Sequence, residues 1–104
     1  MRSTGNDFAF GRMNITLSHH AKPSDDVLFQ DVGGESVLLK LASENYFGLD
    51  SIGTRIWTLL NEDAGLKRAF DILLDEYEVA PDLLERDLLA LVERMAEAGL
   101  VVVT

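Results

Sequence analysis

Residues 45–60 constrain the fold most strongly, because the spacing of apolar side chains changes there from that of a strand to that of a helix. Residues 45–49, Asn-Tyr-Phe-Gly-Leu, are typical of a short strand. Asp50 follows as a good helix N-cap. Gly53 costs the helix about 1 kcal/mol relative to alanine, so we expect a close backbone contact there. The apolar stripe of this helix comprises Ile52, Ile56, Leu59 and Leu60. We expect a groove at this junction of sheet and helices.

Two more strands are predicted before this junction. Residues 27–32 form the first, Gly33 and Gly34 supply a tight hairpin turn, and residues 35–41 form the return strand. Residues 46–49 then complete an antiparallel meander. Because the outer strands of a meander each keep one unpaired edge, residues 46–49 are expected to form such an edge.

Two further helices follow, since apolar side chains recur at spacings of three and four over residues 66–77 and residues 81–98. The deep stripe of the last helix comprises Leu84, Leu88, Leu91 and Met95. The flanking stripe comprises Leu83, Asp87, Ala90 and Arg94. Helices this short must pack to persist. The predicted fold class is therefore α+β, a three-stranded antiparallel sheet followed by a three-helix bundle. Residues 27–104 are expected to form the domain and residues 1–26 a flexible N-terminal arm.

The chain of 104 residues has 18 acidic and 9 basic side chains, and its formal net charge is -9. This charge repels nucleic-acid phosphates and anionic lipid, so neither is an expected partner. The absence of cysteine excludes disulfides, thiolate metal sites and cysteine nucleophiles. The sequence has no secretory signal and no apolar run long enough to span a membrane, so we expect a cytoplasmic protein.

Candidate catalytic and metal-binding groups are few. His19 and His20 are adjacent, which points their side chains in different directions, and no third ligand follows at a recognisable spacing. Asp75 and Glu76 lie on the polar face of a predicted helix, where carboxylates are usually solvated. We therefore expect no enzymatic activity, no bound metal and no cofactor.

An ordered set of short motifs runs through residues 27–103. They are Val27-Leu-Phe-Gln-Asp31, Gly34-Glu35, Leu38-Leu39, Tyr46-Phe-Gly-Leu-Asp50, Gly53-Thr-Arg-Ile-Trp57 with Leu60, Asp87-Leu-Leu89 and Gly99-Leu100. Their order and spacing resemble the PqqD family, small peptide chaperones that are also called recognition elements of ribosomally made, post-translationally modified peptides (RiPPs). Founding members of that family serve pyrroloquinoline quinone maturation, and relatives serve lasso peptides and other modified peptides.

The resemblance implies a winged helix-turn-helix-like fold and a non-catalytic adaptor. Such an adaptor binds the leader segment of a precursor peptide and presents it to a modifying enzyme, such as a radical SAM enzyme, a protease or a cyclase. By the same resemblance, the leader would add as an extra strand on residues 46–49 and lie against the helix of residues 82–98.

Side-chain specificity is assigned to the strand and to the flanking stripe of that helix. The candidate peptide contacts are Tyr46, Phe47, Gly48, Leu49, Leu83, Asp87, Ala90 and Arg94. Since side chains alternate across a strand, one of Tyr46 and Phe47 must face the core. We expect Asp87 to pair with a basic leader residue and Arg94 with an acidic one. Without the resemblance, both would be interpreted as ordinary solvated charges.

Two other functions fit the same fold. A winged helix can bind nucleic acid, but the last predicted helix opposes two arginines with five acidic residues, the wrong sign for contacting phosphates. Salt-sensitive retention on duplex DNA would support that function. A regulatory homodimer would instead fill the exposed edge with a second copy or with residues 1–26. Light scattering with and without residues 1–26 distinguishes it from a monomer with a free edge.

Overall fold

A computed structural model describes residues 14–104 of the chain. Its strands are β1 (Ala21–Pro23), β2 (Val27–Val32), β3 (Glu35–Lys40), β4 (Asn45–Leu49) and β5 (Val101–Val103), and its helices are α1 (Ser51–Glu62), α2 (Leu66–Glu76) and α3 (Pro81–Glu97). The predicted α+β class and the order of the main elements are confirmed. No helix in the described part of the chain is long and apolar enough to cross a membrane.

The larger sheet is an antiparallel meander in the order β2-β3-β4. Gly33 and Gly34 make the predicted hairpin turn, and both have a positive φ, +69° and +94°, which suits glycine. The register places Phe29, Leu38 and Phe47 in one row across the sheet. Because Leu38 is fully buried, this row marks the face that packs against the helices.

A smaller sheet pairs β1 with β5 in antiparallel register, from Ala21 opposite Val103 to Pro23 opposite Val101. Ala21 is fully buried in the core. Residues 1–13 of the predicted arm lie outside the described residues, whereas residues 21–23 of it form β1 and pack with the domain. Where the domain begins along the chain stays a prediction. The sequence gives little sign of β1, because it has three residues and its partner lies at the far end of the chain.

The core lies between the larger sheet and the three helices. Its largest fully buried side chains are Leu38, Leu59, Leu60, Leu66, Leu73, Leu88, Met95, Leu100 and Val92. Trp57 is 5% exposed and packs in this core, as expected. Val92 takes the deep position that the sequence analysis gave to Leu91, since the buried line of α3 advances four residues from Leu88. Leu91 is therefore only partly buried.

Polar contacts hold the connection between β1 and β2 against the end of α3. Ser24 Oγ donates to the carbonyl of Gly99 over 2.8 Å, and the backbone N–H of Ser24 donates to the carbonyl of Leu100 over 2.9 Å. Nearby, Lys40 Nζ lies 2.6 Å from Asp26 Oδ1. The hydrogen bond from Lys40 lowers the pKa of the Asp26 carboxyl. These contacts hold the β1–β2 connection against the end of α3 and against β3.

The first two helices are joined by a bidentate ion pair. Arg55 Nε donates to Glu76 Oε1 over 3.0 Å, and the Nη2 atom of Arg55 lies 2.6 Å from Glu76 Oε2. The hydrogen bonds raise the pKa of Arg55 and lower that of Glu76. Both side chains are about a third exposed, so the pair serves mainly to orient α1 against α2.

Candidate functional site

The junction between β4 and α1 forms one end of the site. Asp50 Oδ1 accepts the backbone N–H of Gly53 over 2.8 Å, which confirms the predicted N-cap. A Cβ added at Gly53 would lie 3.1 Å from Leu49 Cδ2 and 3.2 Å from Asp50 Oδ1. The expected close contact is therefore present, and it lets the first turn of α1 sit directly on the end of β4.

A buried pair of hydroxyls joins the sheet to α1 beside this junction. Ser36 Oγ of β3 and Thr54 Oγ1 of α1 lie 2.8 Å apart, and the two residues are 3% and 8% exposed. A buried hydroxyl without a partner would destabilise the fold, so this bond satisfies both groups. It also fixes the start of α1 in a single position relative to β3, since both partners are buried.

A groove of about 560 Å³ lies between β4, the first turns of α1 and α3. The residues that line it are Gly48, Leu49, Asp50, Ile52, Gly53, Ile56, Asp87, Ala90, Leu91 and Arg94. Apolar side chains from α1 and α3 are joined by the charged groups of Asp50, Asp87 and Arg94. A lining that mixes apolar surface with a few charged groups suits an amphipathic ligand.

The outer edge of β4 borders this groove. Within residues 14–104, β4 pairs only with β3, and its other edge has no strand partner. The two terminal strands pair with each other instead of covering it. Alternate residues of an edge strand present unpaired N–H and C=O groups, so β4 offers a template for another strand beside the groove.

The structure brings together most of the residues predicted to contact a peptide. Gly48, Leu49, Asp87, Ala90 and Arg94 all line the groove. Phe47 is partly buried against the core, and the guanidinium of Arg94 lies 5.8 Å from the centroid of its ring. Phe47 is thus the residue of the aromatic pair that faces inward.

Two predicted contact residues lie apart from this cluster. Tyr46 is 73% exposed on the opposite face of the sheet. Its backbone can therefore pair with an added strand, but its ring does not face the groove. Leu83 is 39% exposed near the start of α3 and does not line the groove. Their roles in binding stay predictions.

A groove at the junction of β4 and α1 was expected from the sequence, but no peptide contacts were assigned to α1. Asp50, Ile52, Gly53 and Ile56 line the groove, as does Leu91 of α3. Ile52 was assigned to the apolar stripe, yet it is 43% exposed and lines the groove in the first turn of α1. The glycine that needs a close contact one turn after β4 was the available signal.

No group of three or more His, Asp or Glu side chains in residues 14–104 is placed to hold a metal ion. His19 Nδ1 accepts the backbone N–H of Thr16 over 2.9 Å and lies outside the groove-lining set. The chemistry that the groove offers is hydrogen bonding, apolar contact and charge pairing.

Comparison with known proteins agrees with this geometry. The chain resembles the structure of TbiB1 in complex with the TbiA(beta) leader peptide, with a TM-score of 0.73 and 39% sequence identity over 77% of this chain and 93% of that one. It also resembles lasso peptide synthetase B1 complexed with the leader peptide, with a TM-score of 0.69 and 25% identity over 82% of this chain and 98% of that one. No curated protein matches the chain significantly. The family described as Coenzyme PQQ synthesis protein D (PqqD) matches residues 35–101, so the chain belongs to the PqqD family.

Proposed function

We propose that this protein is a non-catalytic adaptor that binds the leader segment of a ribosomally made precursor peptide. The leader adds as a strand to β4 and places alternate side chains in the groove. The adaptor then presents the precursor to a modifying enzyme such as a radical SAM enzyme, a protease or a cyclase. The observation that carries this proposal is the open edge of β4 beside a groove lined by α1 and α3.

The solved relatives support the peptide as ligand, because both TbiB1 and lasso peptide synthetase B1 are complexes with leader peptides. TbiB1 shares 39% identity with this chain and is covered over 93% of its length, so the similarity spans nearly all of that chain. The residues that line the groove include no Ser, Cys, His or Lys. The proposal is a binding role without catalysis at this site, in a cytoplasmic protein.

The expected free-energy contributions are large enough for such binding. Five main-chain hydrogen bonds contribute about 1 kcal/mol net each. Two apolar anchors buried in the groove contribute up to about 3 kcal/mol each. Ordering a disordered leader costs about 2–5 kcal/mol. With both anchors at the upper value the remainder is about 6–9 kcal/mol, which corresponds to a dissociation constant between about 40 and 0.3 μM.

The two alternative functions have weaker support. The third helix carries five acidic residues against Arg86 and Arg94, so its charge opposes contact with phosphates. No comparison supports a nucleic-acid-binding role. A homodimer that pairs two copies of β4 would occupy the same edge, and light scattering on the full chain separates it from a monomer.

Strand addition can be tested with a chemically modified leader. The probe is a synthetic leader encoded by a small reading frame beside the gene, titrated calorimetrically into the full chain. In a two-strand ladder only every second peptide N–H points at the partner strand. N-methylation of one alternate set should therefore weaken binding at least about tenfold, and methylation of the other set should have a much smaller effect. Equal effects of both sets, or no binding by the unmodified leader, would contradict the proposal.

A further inference from the structure

The groove presents opposite charges at two places along α3. Asp87 and Arg94 both line it and are seven residues apart on the same helix. That spacing is two turns, or about 10 Å along the helix axis. A ligand that lies along α3 therefore passes a carboxylate and a guanidinium at separate positions.

The direction of α3 relative to β4 fixes which charge comes first. A Cβ at Gly99, just beyond α3, would lie 3.2 Å from Lys40 Cε, and Lys40 is opposite Asn45 at the start of β4. Five residues earlier on the helix, Arg94 lies over Phe47. Helix α3 thus runs antiparallel to β4, and Asp87 lies toward the end of β4 where Asp50 also lines the groove.

Arg94 is the cation of the groove that can pair with an acidic residue of the ligand. It is exposed, its guanidinium lies 5.8 Å from the centroid of the Phe47 ring, and within residues 14–104 it forms no ion pair with a carboxylate. By contrast, five basic side chains in residues 14–104 lie close to carboxylates: Lys40, Arg55, Lys67, Arg68 and Arg86. The Phe47 ring is within cation–π distance of this guanidinium, and the planar fork of an arginine suits bidentate contact with a carboxylate.

We infer that the site selects leader segments by the order of their charges. This inference rests on the proposed function. The preferred segment has Asp or Glu at the position that passes Arg94, and a basic or neutral residue at the position that passes Asp87 and Asp50. A leader that adds antiparallel to β4 runs parallel to α3, so its acidic residue lies on the C-terminal side of the other position. Because side chains on one face of a strand alternate, the two positions are two or four residues apart.

The experiment uses a displayed library of random 12-residue peptides, selected on the full chain and on its Arg94→Glu variant. The wild type should enrich Asp or Glu at one position and deplete them two or four residues toward the N-terminus. Arg94→Glu should replace that acidic preference with Lys or Arg. Arg68→Glu on α2 is the matched control, because it makes the same charge change outside the groove. Circular dichroism checks that the variants fold.

Synthetic peptides that differ only in the selected acidic residue give the magnitude. Replacing Glu by Lys should weaken binding to the wild type about fivefold at low salt, as expected for an exposed charge pair, and less at high salt. Bound peptides with no acidic preference, or a preference that survives Arg94→Glu, would overturn the charge-order inference and leave strand addition intact. Selection of no peptide at all would overturn both. A preference for an acidic residue on the N-terminal side of the depleted position would contradict addition of the peptide antiparallel to β4.

Discussion

The two outer strands of the larger sheet, β2 and β4, are similar in length and hydrogen bonding but differ in what lies beside them. Both strands pair with β3 on one side only within residues 14–104. The groove borders β4, and its lining comes from β4, α1 and α3. The side chains of β2 are mostly exposed to solvent instead, since Leu28 and Val32 are 56% and 59% exposed.

An open strand edge is therefore necessary for strand addition but not sufficient for selecting one peptide over another. Backbone groups on either edge can bond to any extended chain, because they carry no sequence information. Side-chain selection requires pockets that receive alternate residues of the added strand. The groove beside β4 offers such pockets, since the first turn of α1 and the flanking face of α3 line it together with β4.

The largest expected effect comes from filling the groove. Ala90→Trp places an indole where the ligand side chains would lie, since Ala90 is exposed and lines the groove. Leader affinity should fall at least about a hundredfold, which corresponds to about 3 kcal/mol, while the unfolding temperature changes little. Isothermal titration calorimetry measures the loss. The matched control is Gln30→Trp on exposed β2, which should keep affinity within about twofold. Equal losses in both variants would show that the two edges are not distinct.

A smaller loss of leader affinity is expected from Gly53→Ala, at the junction that joins β4 to α1. The Cβ of Gly53→Ala would press on Leu49 and on the capping oxygen of Asp50 at 3.1 and 3.2 Å. Overpacking of this kind costs about 1–3 kcal/mol, and the better helix propensity of alanine offsets about 1 kcal/mol of it. We expect a loss of about 1 kcal/mol in the free energy of unfolding and a severalfold loss of leader affinity.

Urea unfolding and leader titration of Gly53→Ala measure these two quantities. Gly48→Ala is the control for stability, because nothing lies within 4 Å of a Cβ at Gly48. It should leave the free energy of unfolding within about 0.5 kcal/mol of the wild-type value. A Gly53→Ala protein that is more stable than the wild type would contradict the close contact at the junction.

The smallest effect concerns the start of β2. The hydrogen bond from Lys40 holds the pKa of Asp26 below its ordinary value. A depressed folded-state pKa contributes stability at pH values above the unfolded-state pKa of about 4, and that stability is lost as the pH falls through the folded-state pKa. Asp26→Asn should therefore be less stable than the wild type near neutral pH, and the two proteins should converge in acid.

Urea midpoints measured near neutral pH and at about pH 2 check this convergence. Asp71→Asn is the control, since the Lys67–Asp71 pair is more than half exposed and should contribute less. Leader affinity near neutral pH should be unchanged in Asp26→Asn because the residue lies outside the groove-lining set. A difference from the wild type that persists unchanged in acid would show that the ion pair is not its cause.

The elements that the sequence predicted well are those whose signals are local. The boundary between β4 and α1 was predictable because a strand pattern, an N-cap at Asp50 and a constrained glycine follow one another within a few residues. β1 was missed because three residues show no period and their partner is β5. The bond between Ser36 and Thr54 was also beyond prediction, since tertiary packing alone brings these hydroxyls together.

The residues of the groove likewise fall into those with a local signal in the sequence and those without one. The spacing of Asp87, Ala90 and Arg94 on α3 placed them on one face, and all three line the groove. The positions of Ile52 and Leu91 could not be inferred from periodicity, because each lies at the border between the buried and exposed faces of its helix. Which border residue faces a groove depends on how α1 and α3 pack against β4, and that packing has no local signal in the sequence.

Amide hydrogen exchange measured by NMR, with and without saturating leader peptide, shows whether the leader adds as a strand to β4. Strand addition predicts that exchange slows at those alternate amides of β4 that face the open edge, while the amides on the outer edge of β2 keep their rates. Slower exchange on β2 with no change on β4, or binding that protects neither edge, would contradict strand addition to β4.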